Sequence, residues 1–239
     1  MCTVTFLPLS NKGFVLTSNR DEQTVRKPAL SPKIYQVYDS LVVYPKDQQA
    51  DGTWIATAGI PFTLCLLNGA FEKHKRKSSY RKSRGLMLLD FFSYNNVNSF
   101  LSEYDFNDIE PFTLLMLDTT GNKPVLTEAK WDGLKIHRKI INTDEPHIWS
   151  SATLYSKETI KQRENWFKEF LSKHTSYNER TILDFHHFGG NGDRRNDLVM
   201  NRDNVIQTVS ITSISKKDNL TNMIYKDVIN EKLYSRRIC

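Results

Sequence analysis

The 239-residue chain has three cysteines, Cys2, Cys65 and Cys239, and no two stand at the short spacing of a metal knuckle or redox pair. A disulfide framework and a structural zinc site are therefore not expected. There is no run of eighteen apolar residues, so no integral membrane segment is expected, and the N-terminus lacks a basic start followed by a long apolar stretch. These absences read as a soluble, cytoplasmic protein. Arg236-Arg237-Ile238-Cys239 places its cysteine last, which is no prenylation signal. Gly189, Gly190 and Gly192 lack the lysine and hydroxyl residue of a phosphate loop, and His186-His187 has no further ligand at metal spacing. Residues 186–193 read as a surface loop, and neither a metal nor another cofactor is expected.

A general excess of positive charge is also missing. The formal charge is +6, from 33 Lys and Arg against 27 Asp and Glu, but seven of the cations fall within residues 73–84. Without Lys73, Lys75, Arg76, Lys77, Arg81, Lys82 and Arg84, 26 basic residues face 27 acidic ones. The chain has one basic loop, with Tyr80 its only aromatic, which is too little interleaving for base stacking and argues against a nucleic-acid partner. The segment reads as a flexible, solvated crossover. Arg81 and Arg84, nearest the next helix start, are its candidates for binding an acidic substrate group.

What the chain does have is an unusual N-terminus. If Met1 is removed, Cys2 carries a thiol and a free α-amine on neighbouring atoms. An α-amine titrates near 7.7–8.0, so it can take the thiol proton directly or through a water without any histidine. Thr3–Leu9 and Phe14–Thr17 read as two strands joined by a turn at Asn11-Lys12-Gly13. That hairpin returns Asn19-Arg20-Asp21-Glu22 to the end nearest the amine and thiol. Asp21 or Glu22 can hold the α-ammonium, and Arg20 can lower the thiol pKa or bind an acidic substrate group. The same tetrapeptide also reads as a solvated turn with a local ion pair.

Further along, residues 25–40, with Pro28 and Pro32, read as a loop over the site. Residues 41–44, 53–57 and 62–67 read as strands, the last buried on both faces with Cys65 as a small core residue. Ser83 starts a helical pattern through Leu86, Leu89 and Phe92, and residues 99–104 continue it after an Asn-rich break. Residues 112–118, 124–131 and 134–137 read as three strands of a second sheet, with Asp132-Gly133 as a hairpin turn. Ser156 caps a clear helix, and another covers 178–187. The hydrophobic share of 39% supports a real core, and a single domain over 1–239 is expected.

Met1-Cys2-Thr3, Ser18-Asn19-Arg20-Asp21-Glu22, Gly52-Thr53-Trp54-Ile55-Ala56 and Leu66-Leu67-Asn68-Gly69, in that order, resemble the NRDE family, also called transport and Golgi organisation 2-like. That family is similar to hydrolases with an N-terminal cysteine nucleophile, such as penicillin V acylases and conjugated bile acid hydrolases. The resemblance implies an α+β fold, a four-layer αββα sandwich with two mainly antiparallel sheets, and cleavage of a linear amide of a small-molecule substrate. It implies Cys2 as nucleophile, with Asn19, Arg20 and Asp21 beside it and Asn68 in the oxyanion hole, where Asn-Gly alone reads equally as a turn. Glu22, Ser151 (where related hydrolases carry a second Asn) and Arg202 are the corresponding substrate-side candidates. The alternative is a non-catalytic protein that binds a hydrophobic, lipid-like cargo. The oligomeric state is open.

Overall fold

The computed structural model describes residues 3–59, 61–174, 176–218 and 220–238. The chain divides into two compact units, one built from the residues up to Lys27 and from Asp144 onward, the other from Pro28–Thr143. Cys2 lies outside the described residues.

The first unit is built on one antiparallel sheet. β1 (Thr3–Pro8) and β2 (Phe14–Gln23) form the expected hairpin, in register from Thr3↔Asn19 to Pro8↔Phe14. The turn closes with Gly13 N–H donating to the Ser10 carbonyl at 3.2 Å, and Asn11 and Lys12 both take positive φ, the twist a two-residue hairpin requires. Later chain completes the sheet with β10 (His147–Ser150), β11 (Asn201–Arg202), β12 (Ile206–Lys217), β13 (Leu220–Asp227) and β14 (Lys232–Ile238). Its order is β10-β1-β2-β12-β13-β14, with β11 on β12. A bulge between Thr208 and Ser210 interrupts the β12–β2 ladder beside Arg20 and Asp21.

Two helices cover one face of this sheet. α3 (Lys157–Lys173) starts at Ser156, whose hydroxyl accepts from the Thr159 N–H at 3.2 Å, and it buries Thr159, Arg163, Phe167 and Phe170 at helical spacing. α4 (Glu179–Phe188) starts with a reciprocal cap between Asn178 and Thr181. Phe167, Phe170, Ile182 and Phe185 pack with Leu7 and Val15, which alternation places on the same sheet face as Thr3, Thr5, Thr17 and Asn19. Each such buried side chain contributes about 1.5–3 kcal/mol.

The second unit has its own seven-stranded antiparallel sheet in chain order: β3 (Leu30–Val37), β4 (Ser40–Lys46), β5 (Ile55–Thr57), β6 (Phe62–Asn68), β7 (Phe112–Asp118), β8 (Val125–Trp131) and β9 (Ile136–Ile141). The last three are the strands expected to build a second sheet, and β4–β6 join them there. The expected loop over 25–40 is instead largely β3. It is an edge strand, and Pro32 falls at the register shift between Leu30 and Lys33, where no ladder hydrogen bond is lost. Cys65 is buried in β6 as read.

α1 (Arg84–Tyr94) and α2 (Val97–Glu103) cover this sheet with an aromatic core in which Phe91 meets Phe62, Phe92 and Phe100 edge-on. Asp90, buried in α1, accepts from Lys82 Nζ at 2.6 Å, Tyr104 at 2.8 Å and Tyr38 at 3.0 Å, so its charge is fully partnered. At the start of α1 two backbones cross: a Cβ on Gly85 would lie 2.7 Å from the Thr53 carbonyl and 2.9 Å from its nitrogen. Backbone cannot swing aside as a side-chain tip can. Gly85→Ala is expected to cost about 2 kcal/mol or more, read as a lowered urea midpoint at unchanged m. A midpoint within error of the wild type would contradict the close packing.

Candidate functional site

The buried polar residues of the first unit collect around the C-terminal half of β2. Asp21 is 5% exposed, and each of its carboxylate oxygens accepts from a hydroxyl. Thr208 Oγ1 donates to Oδ1 at 2.6 Å, and the Tyr155 phenol donates to Oδ2. The Tyr155 ring lies against the Arg163 guanidinium, Cζ 3.9 Å from the ring centroid, with Arg202 Cζ at 5.7 Å. Arg163 is fully buried on α3. It donates to the carbonyls of Asn196 (3.0 Å) and Asp197 (2.7 Å), and to the hydroxyl of Thr3. One guanidinium therefore joins the first described residue of β1 to the aromatic ring that holds Asp21.

Arg20 is 4% exposed and makes an ion pair with Glu22 at 3.4 Å; Glu22 is half-buried and also meets Arg26 at 3.5 Å. Arg20 pairs across the ladder with Ser210, and Ser18 with Thr212, on the sheet face opposite α3 and α4. Tyr225, which pairs with Thr212, has its phenol pKa raised chiefly by burial, and the Ser210 hydrogen bond and the Arg20 charge work against that rise.

Asn19 points the other way and serves the fold. Its amide N–H groups donate to the carbonyls of His186 (3.1 Å) and Leu198 (2.6 Å), and its Oδ1 accepts from His186 Nδ1. With Nδ1 as donor, His186 Nε2 accepts from Thr5 Oγ1 at 2.7 Å, which fixes a neutral tautomer. The surface-loop reading of 186–193 is thus corrected at its start: His186 lies in the last turn of α4 and is fully buried.

Burial, with the Arg163 charge nearby, pushes the His186 pKa from 6.5 down to about 3. The unfolded imidazole takes a proton near 6.5 and the folded one resists it. The stabilisation from neutral His186 is complete above about pH 6.5 and is lost as pH falls toward 3, at up to about 1.4 kcal/mol per pH unit. His186→Gln is expected to flatten the fall in urea midpoint between pH 6 and 4. An unchanged slope in the variant would contradict a neutral, buried His186.

Arg202 lies on β11 and is half-buried, donating to the carbonyls of Arg195 (3.0 Å) and Leu154 (2.9 Å) and to Asn196 Oδ1 (3.1 Å). Ser151 follows β10, fully buried, with its hydroxyl 3.1 Å from that of Thr153.

The remaining candidates belong to the second unit. Asn68 ends β6 opposite Phe112, and it is Gly69, at φ +82°, that takes the left-handed turn. Arg84 meets Glu110 at 3.1 Å and the Pro111 carbonyl at 3.0 Å; Arg81 donates to the carbonyls of Asn107 (3.2 Å) and Asp105. Lys77 pairs with Asp108 at 2.8 Å and Lys82 with Asp90 at 2.6 Å. The basic segment, read as a flexible crossover, carries ion pairs to Asp90 in α1 and to Asp105, Asp108 and Glu110 after α2.

Among the described residues no His/Cys/Asp/Glu group could hold a metal ion, and no helix is long and apolar enough to cross a membrane. Tyr155, Arg163, Thr208 and His186 were not legible as site residues, since each reaches β1 or β2 from more than 130 residues away.

Solved structures similar to the chain include the Caenorhabditis elegans ortholog of N-acylethanolamine-hydrolyzing acid amidase, at 10% identity and a TM-score of 0.51, covering 89% of this chain and 92% of that one. A variant of conjugated bile acid hydrolase from Clostridium perfringens is similar at 10% identity and a TM-score of 0.56, covering 98% and 92%. A mutant of the same hydrolase gives a TM-score of 0.52 over 100% and 92%, again at 10% identity. These likenesses establish the α+β fold of N-terminal-nucleophile hydrolases, and the described residues form two antiparallel sheets and four helices. No curated protein matches the chain. The Transport and Golgi organisation 2 family matches residues 1–228, and the chain belongs to that family.

Proposed function

We propose that the protein is an N-terminal-nucleophile amidohydrolase that cleaves a linear amide of a small molecule through Cys2. The observation that carries this reading is the setting of Asp21: a buried carboxylate oriented by two hydroxyl donors, on the strand paired with β1. Cys2 is bonded to Thr3, so its Cα lies within about 3.8 Å of the Thr3 Cα. Thr3 itself pairs with Asn19, two positions before Asp21.

In this mechanism Asp21 holds the α-amine of Cys2, the amine takes the thiol proton, and Sγ attacks the carbonyl carbon. A backbone N–H donates to the oxyanion, together with the side chain for which the family resemblance implies Asn68. The C–N bond breaks as the ammonium returns its proton to the leaving amine, and water then hydrolyses the thioester to release the acid and the free thiol. An amine in place of water makes the same centre an acyltransferase. Arg20, Glu22, Ser151 and Arg202 are the substrate-side groups proposed from the first unit, and Arg81 and Arg84 those proposed from the second.

The test is to express the chain with a removable N-terminal extension and assay a panel of N-acyl amides before and after cleavage to Cys2. Hydrolysis is expected only after cleavage, because an acylated amine cannot act as the base. Equal hydrolysis by the extended protein would overturn the mechanism, and no hydrolysis by either form would favour a hydrophobic-cargo binder.

A further inference from the structure

Among the described residues Arg163 is the largest fully buried side chain, and its described contacts are carbonyls, a hydroxyl and an aromatic face. Taking a guanidinium out of water costs several kcal/mol, and carbonyl caps alone could be supplied by a neutral side chain. What the charge adds is directional. It lies on the Tyr155 ring at 3.9 Å and draws electron density from the ring whose O–H donates to Asp21. A polarised phenol is a stronger donor to a carboxylate. Through Nη1 the same guanidinium holds the hydroxyl of Thr3, the residue bonded to Cys2. A single group thus fixes the chain carrying the nucleophile relative to the carboxylate that holds its amine.

We infer that Tyr155 and Arg163 are positioning residues of the hydrolase, acting on acylation through Asp21 and Thr3 without touching substrate. The inference rests on the reading in which Cys2 is the nucleophile and Asp21 holds its α-amine. Thr208 supplies another donor to Asp21, so loss of Tyr155 leaves the carboxylate present but without the hydroxyl that fixes its Oδ2.

The experiment follows acylation of Cys2 by p-nitrophenyl acetate, read as p-nitrophenolate release and as acetyl on the N-terminal peptide, in wild type, Tyr155→Phe, Asp21→Asn and the double variant. Tyr155→Phe is expected to slow acylation about tenfold, the worth of one charge-assisted hydrogen bond, through the maximal rate and not the half-saturating probe concentration. In the Asp21→Asn background the same change is expected to have almost no further effect. Arg163→Lys, which keeps the charge and loses the planar stack, is expected to slow acylation in the wild type and less so in Tyr155→Phe. Additive effects of Tyr155→Phe and Asp21→Asn, or a Tyr155→Phe rate equal to wild type, would overturn the inference while leaving Cys2 as nucleophile. A wild type whose Cys2 is acetylated no faster than after unfolding would overturn the inference and the underlying reading together.

Discussion

Cys2→Ala is expected to abolish amide turnover, by a factor of about 10⁴ or more, while leaving the unfolding midpoint unchanged within error. The expected size follows from the chemistry. Alanine keeps the α-amine but has no nucleophile to form the thioester, and the oxyanion donors and substrate contacts that remain supply only the residual acceleration typical of enzymes stripped of their nucleophile. The fold has little reason to respond. β1 is held by six residue pairs to β2 and four to β10, all between Thr3 and Pro8, and by the buried Val4, Phe6 and Leu7. The result is read as steady-state amide hydrolysis and thermal unfolding on one preparation. Turnover surviving in the alanine protein would show that another group does the chemistry.

Arg163→Met is expected to be the most destabilising single change at the candidate site, by about 3 kcal/mol or more. Methionine fills much of the same volume, so the loss is polar and not a cavity. The part-buried carbonyls of Asn196 and Asp197 and the buried hydroxyl of Thr3 would each lose a donor, and a buried unsatisfied group costs about 1–3 kcal/mol. Against this stands the recovered desolvation cost of the guanidinium, which keeps the expected total below the sum of those losses. The check is the urea midpoint at pH 7. A loss under about 1 kcal/mol would mean the carbonyls find other donors. Arg163→Lys separates this stabilising role from the positioning role, because an ammonium can still reach a carbonyl but cannot stack as a plane on Tyr155.

The parts of the fold legible in the sequence are those set by near neighbours. Asn11-Lys12-Gly13 forms its turn, Ser83 and Ser156 cap the helices read from them, the helix read over 178–187 is α4, and the strands read at 112–118 and 124–131 are β7 and β8. What was not legible depends on distant chain. Pro32 suggests a loop until its strand is known to be a sheet edge. The run of cations at 73–84 suggests a free solvated loop until Asp105, Asp108 and Glu110 are brought beside it. His186 looked like part of an exposed His-His pair, yet it is the one that Asn19 and Thr5 hold from β2 and β1.

The candidate site divides in the same way. Arg20, Asp21 and Glu22 follow from the hairpin that any reader of residues 3–22 would draw. Alternation puts Asn19 on the sheet face of Asp21, opposite to Arg20, and the Asn19 amide makes three bonds to His186 and Leu198. Tyr155, which loop and helix geometry bring to Asp21, carries no local signal at all.

The most direct test of the account is the mass of the N-terminal peptide after brief exposure of the purified protein to an activated ester. The account predicts that Met1 is absent, that one acyl group sits on Cys2, on sulfur or moved to the α-amine by S-to-N shift, and that Cys65, buried in β6, is unmodified. A peptide that retains Met1, or acylation no greater at Cys2 than at Cys65 and Cys239, would contradict the claim that Cys2 is an N-terminal nucleophile.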